Sequence, residues 1–251
     1  MTTSRKASRN VTNGPFAPPQ LPHRDACRRA GALLMGTAIS AVIGVGYGRG
    51  AYAQALSGSN SSKIELSGPG SFETQDGFSV DINAAETDAI TIRTEDGEDG
   101  DTTFIDEQAS SIIGTKRGIY ADNDGSGALS VTATGAVTGT LEVGIMASNS
   151  SDGTDLAINA NEASGRSYGI YADNDGSGAL SVTATGAVTG TQKDGIFAIN
   201  TAGTNVAIDA ANVTGYVDGI SAKNRGSGIL SITASGDVIG TKNQGIYARN
   251  Y

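Results

Sequence analysis

A right-handed parallel β-helix is the fold this sequence predicts. Three observations point there: a literal repeat with a unit of about 25 residues, alternation of apolar and polar residues inside each unit, and no sustained i, i+3, i+4 apolar pattern after residue 53. The segment GIYADNDGSGALSVTATGAVTGT fills 118–140 and recurs unchanged at 169–191, and a diverged copy, GISAKNRGSGILSITASGDVIGT, fills 219–241. Weaker copies begin at Gly144 and Gly195, and a last one starts at Gly245. Gly-Ile therefore stands at 118, 144, 169, 195, 219 and 245, with spacings of 26, 25, 26, 24 and 26, so the units alternate in pairs.

Each unit holds three short strands. In the first regular one they are Ile119 to Asn123, Leu129 to Ala133 and Val137 to Thr140, separated by Asp-Gly-Ser-Gly and Thr-Gly, residues that favour turns. Side chains alternate across a strand, so Ile119, Ala121, Leu129, Val131, Ala133 and Val137 point inward. Ile145, Ile170, Ile196, Ile220 and Ile246 fall under Ile119, and Leu156, Leu180, Val206 and Leu230 fall under Leu129. A unit this short closes no core alone and must stack on its neighbours, one coil per unit, with the right-handed crossover that parallel connections prefer.

The fifth residue after each repeat glycine is always Asn: Asn123, Asn149, Asn174, Asn200, Asn224 and Asn250. Strand parity turns these amides inward at a corner, where each pairs with the coil above and below as a structural ladder. The competing reading is that Asn there only tolerates a left-handed turn. Residues 54–117 follow the pattern less regularly and read as two degenerate N-terminal coils, whereas 118–251 are regular coils with an incomplete last one.

Residues 1–53 have a different character. They hold seven basic residues and one acid, together with the only Cys (Cys27), the only His (His23) and four of the five Pro. A basic segment, an apolar run from Ala30 to Tyr47 and the A-x-A pattern Ala51-Tyr52-Ala53 are the parts of a secretory signal peptide, with cleavage between Ala53 and Gln54. An uncleaved signal anchor is the competing reading, weakened by Gly and polar residues in the apolar run. Residues 54–251 then carry 10 basic and 25 acidic side chains, a formal charge of −15, and no Cys, His or Trp. That composition excludes disulfides, thiolate or imidazole metal sites, and Ser-His-Asp or Cys-His catalysis in the mature chain. The charge disfavours nucleic acid and anionic membrane surfaces as partners.

Three features are candidates for chemistry. Asp122-Asn-Asp124-Gly-Ser-Gly, repeated at 173–178, has the alternating acids of a calcium loop, but no glutamate closes it and the equivalent coil reads Lys223-Asn-Arg225-Gly-Ser-Gly. The turn is thus the constraint, and neither a metal nor a cofactor is expected. The Gly-punctuated acidic loop from Glu95 to Asp101 reads as solvated surface, with calcium the alternative. Near-identical coils offer no converging carboxylate pair at one level, so catalysis is not expected; a carbohydrate-active β-helix enzyme is the alternative. Finally, the residue after each Gly-Ile is Tyr120, Met146, Tyr171, Phe197, Ser221 or Tyr247, an outward stripe that reads either as stacking between coils or as a contact surface.

The basic leader ending at Ala53, the Cys-free repeat and the GIxAxN…GSGxLSxTAxGxVxGT motif together resemble the passenger region of bacterial autotransporters, surface or secreted proteins of Gram-negative bacteria. The resemblance covers most of the chain and is most specific over 118–250. It implies export to the periplasm, passage across the outer membrane, folding outside the cell as a stalk or adhesin-like segment, and a host or cell-surface protein or glycan as partner. The mature part would not be membrane-inserted. The family's passage depends on a membrane β-barrel of many amphipathic strands, which these residues do not contain, so the chain reads as truncated before its barrel and otherwise as periplasmic.

Overall fold

A computed structural model describes Val42–Ile43 and residues 53–251, and over these residues the chain is a parallel β-solenoid without helix. Of the residues at the expected cleavage site, Ala51 lies outside the described residues, Ala53 opens a strand and Gln54 follows it.

Strands are numbered in chain order, and each coil contributes to three faces. The first face stacks β1 (Val42–Ile43), β4 (Ile64–Ser67), β7 (Ile90–Thr94), β10 (Ile119–Asn123), β12 (Ile145–Asn149), β14 (Ile170–Asn174), β16 (Ile196–Asn200), β18 (Ile220–Asn224) and β21 (Ile246–Asn250). In the N-terminal coils the second face is made by β2 (Ala53–Leu56), β5 (Gly70–Thr74) and β8 (Thr102–Asp106), and the third by β3 (Ser59–Asn60), β6 (Ser79–Asp81) and β9 (Ile112–Gly114). From there on, single long strands cover both: β11 (Leu129–Gly139), β13 (Leu156–Gly165), β15 (Leu180–Gly190) and β17 (Val206–Gly215), before the pair separates again into β19 (Leu230–Ala234) and β20 (Val238–Gly240). All the pairings are parallel.

The joining of the second and third strands differs from the sequence expectation of two separate ones. The corner between them is so short that the ladder resumes at once, with a register shift between Ala133 and Ala136 in β11 and between Ala160 and Ala163 in β13. In β11 the bend passes through Thr134-Gly135-Ala136, and in β13 only through Asn161-Glu162, so successive coils alternate a longer and a shorter corner. A bulge of this kind bends a strand without ending it.

The core is a set of columns. Ile119, Ile145, Ile170, Ile196 and Ile220 pair in register and are wholly buried, as are Ala121, Ala147, Ala172, Ala198 and Ala222 two residues on. Leu129, Leu156, Leu180 and Val206 form the matching column on the second face. Each such Ile, Leu or Val side chain contributes roughly 1.5–3 kcal/mol by leaving water. Because its neighbours are the same residue type one coil away, that contribution exists only when coils stack. Glycine closes each coil where the third face turns back to the first: a Cβ on Gly190 would lie 2.0 Å from the Asp194 carbonyl oxygen, so no side chain fits there.

The N-terminal coils use the same geometry with different residues. Phe72 and Phe104 stack in the column that Val131 continues, and both are buried. Asp106 occupies the place that Ala133 takes in the next coil and is fully buried. Its carboxylate accepts the Thr74 hydroxyl at 2.6 Å, the Ser110 hydroxyl at 2.7 Å and the Ser110 N–H at 3.3 Å, which satisfies a group otherwise costly to bury.

Candidate functional site

The parity of the first face sends alternate residues of each strand inward and outward, and both sets carry candidates. Inward, Asn123, Asn149, Asn174, Asn200 and Asn224 are buried in one file at the corner. Each Nδ2 donates to the Oδ1 of the next coil: 2.6 Å from Asn123 to Asn149, 3.0 Å to Asn174, 3.1 Å to Asn200 and 3.4 Å to Asn224. The same amides also donate to backbone carbonyls of the following turn, as Asn123 does to Gly127 at 3.0 Å. Asn250 stands apart: its side chain is exposed and donates to the Gly228 carbonyl at 3.3 Å. At the other end the register neighbour of Asn123 is Thr94, whose hydroxyl pairs with Thr102 at 2.6 Å, and Asn123 Oδ1 is left buried without a partner. The ladder is thus a polar spine that holds register and offers no open surface to a ligand.

Outward, Tyr120, Met146, Tyr171, Phe197, Ser221 and Tyr247 pair in register from coil to coil. All are half-buried except Ser221, which is buried between its two larger register neighbours. Tyr171 and Phe197 stack with ring centroids 5.1 Å apart and planes 14° apart, an arrangement aromatic pairs favour. Tyr168 leans on both, at 5.4 Å and 5.7 Å. At the N-terminal end of the stripe, Arg117 lies 3.7 Å above the Tyr120 ring and donates to Met146 Sδ at 3.4 Å. Burial pulls the Arg117 guanidinium down, but the hydrogen bonds and charge of Asp88 outweigh it and leave it raised.

A second outward column runs alongside. The Tyr120 hydroxyl donates to Asp122 Oδ2 at 2.7 Å and the Tyr171 hydroxyl to Asp173 Oδ2 at 3.3 Å. Burial, then the charge and hydrogen bond of Asp173, push the Tyr171 phenol up to about 12. Burial and the neighbouring Asp175 raise Asp173 in turn. The Asp122 and Asp173 turns are therefore tied to the stripe. In the acidic loop the carboxylates face backbone and hydroxyl donors: Glu98 accepts the Glu95 N–H at 2.9 Å, Asp99 the Ser126 hydroxyl at 2.8 Å and Asp101 the Ala128 N–H at 2.9 Å.

Several members of this surface were not singled out in the sequence: Tyr168, Arg117 and Lys193. Arg117 and Tyr168 stand immediately before the repeat glycine, and Lys193 one residue earlier. The position before the glycine reads Arg117, Val143, Tyr168, Asp194, Asp218 and Gln244, and its refusal to repeat inside an otherwise regular array was the available signal. Elsewhere the surface is shallow. The bend between the second and third faces forms an outer groove of about 220 Å³ lined by Thr132, Thr134, Asn159, Asn161, Thr183 and Thr185. Among the described residues no three His, Cys, Asp or Glu side chains converge as metal ligands, and no helix is long and apolar enough to cross a membrane.

Comparisons with protein-family models, with curated proteins and with solved structures find no match to this chain.

Proposed function

We propose that this chain is an exported, non-catalytic β-helical rod of the autotransporter-passenger kind, whose coils set reach and whose first-face stripe contacts a surface partner. The observation that carries this reading is the uniformity of the solenoid. From β10 to β18 the inward columns of the first face, and the Leu129 column of the second, repeat without interruption, and the residues that change from coil to coil point outward or stand at corners. An enzyme site needs convergent groups at one level, whereas a rod needs the same coil many times. The basic and apolar leader with its A-x-A pattern supports export, and a mature charge of −15 without Cys supports life as a solvated, disulfide-free surface protein. Passage across an outer membrane requires a β-barrel translocator as partner.

Two experiments test it. The full chain is expressed in a Gram-negative host and the periplasmic and surface fractions are examined by mass spectrometry; a mature N-terminus at Gln54 is expected, and an intact chain confined to the cytoplasm overturns export. Attachment of the purified chain to mucin-coated and fibronectin-coated surfaces is then compared with that of the triple variant Tyr120→Ser, Tyr171→Ser, Tyr247→Ser. Loss of attachment with an unchanged far-ultraviolet circular dichroism spectrum is expected, and equal attachment removes the stripe from the reading.

A further inference from the structure

Charge is distributed unevenly along the rod. Residues 54–191 carry 21 acidic and 5 basic side chains, a formal −16, whereas residues 192–251 carry 4 acidic and 5 basic ones, a formal +1. The placement of those last five cations is more informative than their number. Lys193 stands over Tyr168 at 5.0 Å, Lys223 over Phe197 at 5.3 Å, Lys242 over Tyr216 at 5.3 Å, Arg225 over Tyr251 at 5.7 Å and Arg249 over Tyr251 at 5.2 Å. None of the five forms a salt bridge within 4.0 Å in the described residues, while Lys63, Lys116 and Arg117 in the N-terminal coils all do. All five lie on the first face or the corners that border it.

The acids of this surface are spent elsewhere. Asp194 and Asp218 are buried, and their Oδ1 atoms accept the Asp218 N–H at 3.0 Å and the Gln244 N–H at 2.9 Å. Asp209 points out from β17, on another face, and Asp237 lies at the far corner before β20. Asp173 and Asp175 mark the N-terminal border of the cationic surface. What remains is a row of cations, exposed except for the half-buried Lys223, resting on aromatic rings that steady the head groups without neutralising them.

We propose that this surface binds an anionic saccharide, with carboxylate or sulfate groups paired by Lys223 and Arg249 and sugar rings against the edges of Phe197 and Tyr247. Lys223 and Arg249 are register neighbours one coil apart, as close-set as adjacent strands allow at about 4.8 Å. Rings and cations together match a ligand that carries charge on a ring-shaped, partly apolar body. A long, densely charged polymer is disfavoured over a short saccharide, because the −16 of the preceding coils repels its continuation. The proposal rests on the reading of the first face as a contact surface and names the ligand class for it.

The test is titration of the purified full chain, by calorimetry, with a heparin hexasaccharide, a hexagalacturonate and neutral maltohexaose. Binding of at least one anionic hexasaccharide is expected, weakening about tenfold or more in the double variant Lys223→Gln, Arg249→Gln and unchanged in Lys63→Gln, whose cation is already paired with Glu65. No binding by either anionic probe at millimolar concentration overturns the proposal. So does equal binding of maltohexaose, or equal affinity in the double variant with its circular dichroism intact. An acidic peptide, hexaglutamate, binding more tightly than both saccharides assigns the surface to proteins and overturns it too. If the saccharides fail while the Tyr-to-Ser variant still loses attachment to coated surfaces, the ligand class falls and the contact stripe stands; if both tests are negative, both fall.

Discussion

Arg117 and Asp88 form a two-pronged pair across adjacent coils, with Nε to Oδ1 at 2.8 Å and Nη2 to Oδ2 at 2.9 Å, while the same guanidinium sits over the Tyr120 ring. Both side chains are largely covered, 12% and 8% exposed. The pair sits where the irregular N-terminal coils meet the first regular one, and it connects β7 and β10 through side chains as well as through the ladder. Arg117→Ala leaves Asp88 covered and unpaired, and a loss of about 2–3 kcal/mol in denaturant unfolding is expected. Arg117→Lys is expected to recover only part of it, because an ammonium reproduces neither the fork nor the stacking.

The Asn ladder predicts a positional effect. Asn174→Ala removes both the acceptor of Asn149 and the donor to Asn200, leaving two buried amides short of a partner, and a loss of about 2–3 kcal/mol is expected. Asn250→Ala, at an exposed position outside the ladder, is expected to stay within about 0.5 kcal/mol. Equal costs at the two positions would show that Asn is kept for turn conformation alone.

Glycine at the third corner is a matter of space. Gly190→Ala would place its Cβ 2.0 Å from the Asp194 carbonyl oxygen and is expected to cost more than about 2 kcal/mol. Gly77, at φ +80 with nothing near its missing side chain, is expected to lose only the conformational preference, about 1 kcal/mol on Gly77→Ala. Paired melting experiments on the two variants separate crowding from backbone strain.

Asp173 and Tyr171 predict a pH dependence. The folded state holds the Asp173 proton more tightly than the unfolded chain does, since burial and Asp175 raise its pKa. Its contribution is therefore fully present below the ordinary carboxylate pKa and lost as pH rises through the raised value. Asp173→Asn is expected to stabilise the protein at pH 7 by less than about 1 kcal/mol, because the site is half open to solvent, and to flatten stability over that acidic window. The same substitution is expected to lower the Tyr171 phenol from about 12 while leaving it above 10, since burial is the larger cause. Site-specific NMR titration of Tyr171 reads this directly.

The columns were legible because a parallel solenoid converts sequence period into spatial register: Ile119 predicts Ile145, and Asn123 predicts Asn149, once the unit length is known. The inward set at Leu129, Val131, Ala133 and Val137 followed from alternation alone. The corners were not legible in the same way. From Gly139 to Ile145 the chain takes six steps, and from Gly165 to Ile170 five, so a side chain such as Tyr168 or Lys193 has no fixed place in an alternating pattern. Asp106 was hidden for a different reason: its burial depends on hydroxyls from Thr74 and Ser110, one of them a coil away. Several cation–aromatic pairs likewise join residues 25 or 26 positions apart, as with Lys193 and Tyr168 or Lys223 and Phe197, and no local window contains both of those partners.

The alternation of longer and shorter corners sets a rule for how this rod changes length. Each corner of the Thr134-Gly135-Ala136 type is seated on the Asn161-Glu162 type and never on its own kind between β11 and β17. Removing one coil would bring two like corners together, whereas removing the 51 residues that separate Gly118 from Gly169 rejoins identical sequence and preserves both seams. Growth and shrinkage by unequal crossing-over at the duplicated segment would thus proceed two coils at a time, about 9.6 Å of reach per event at the spacing of hydrogen-bonded strands.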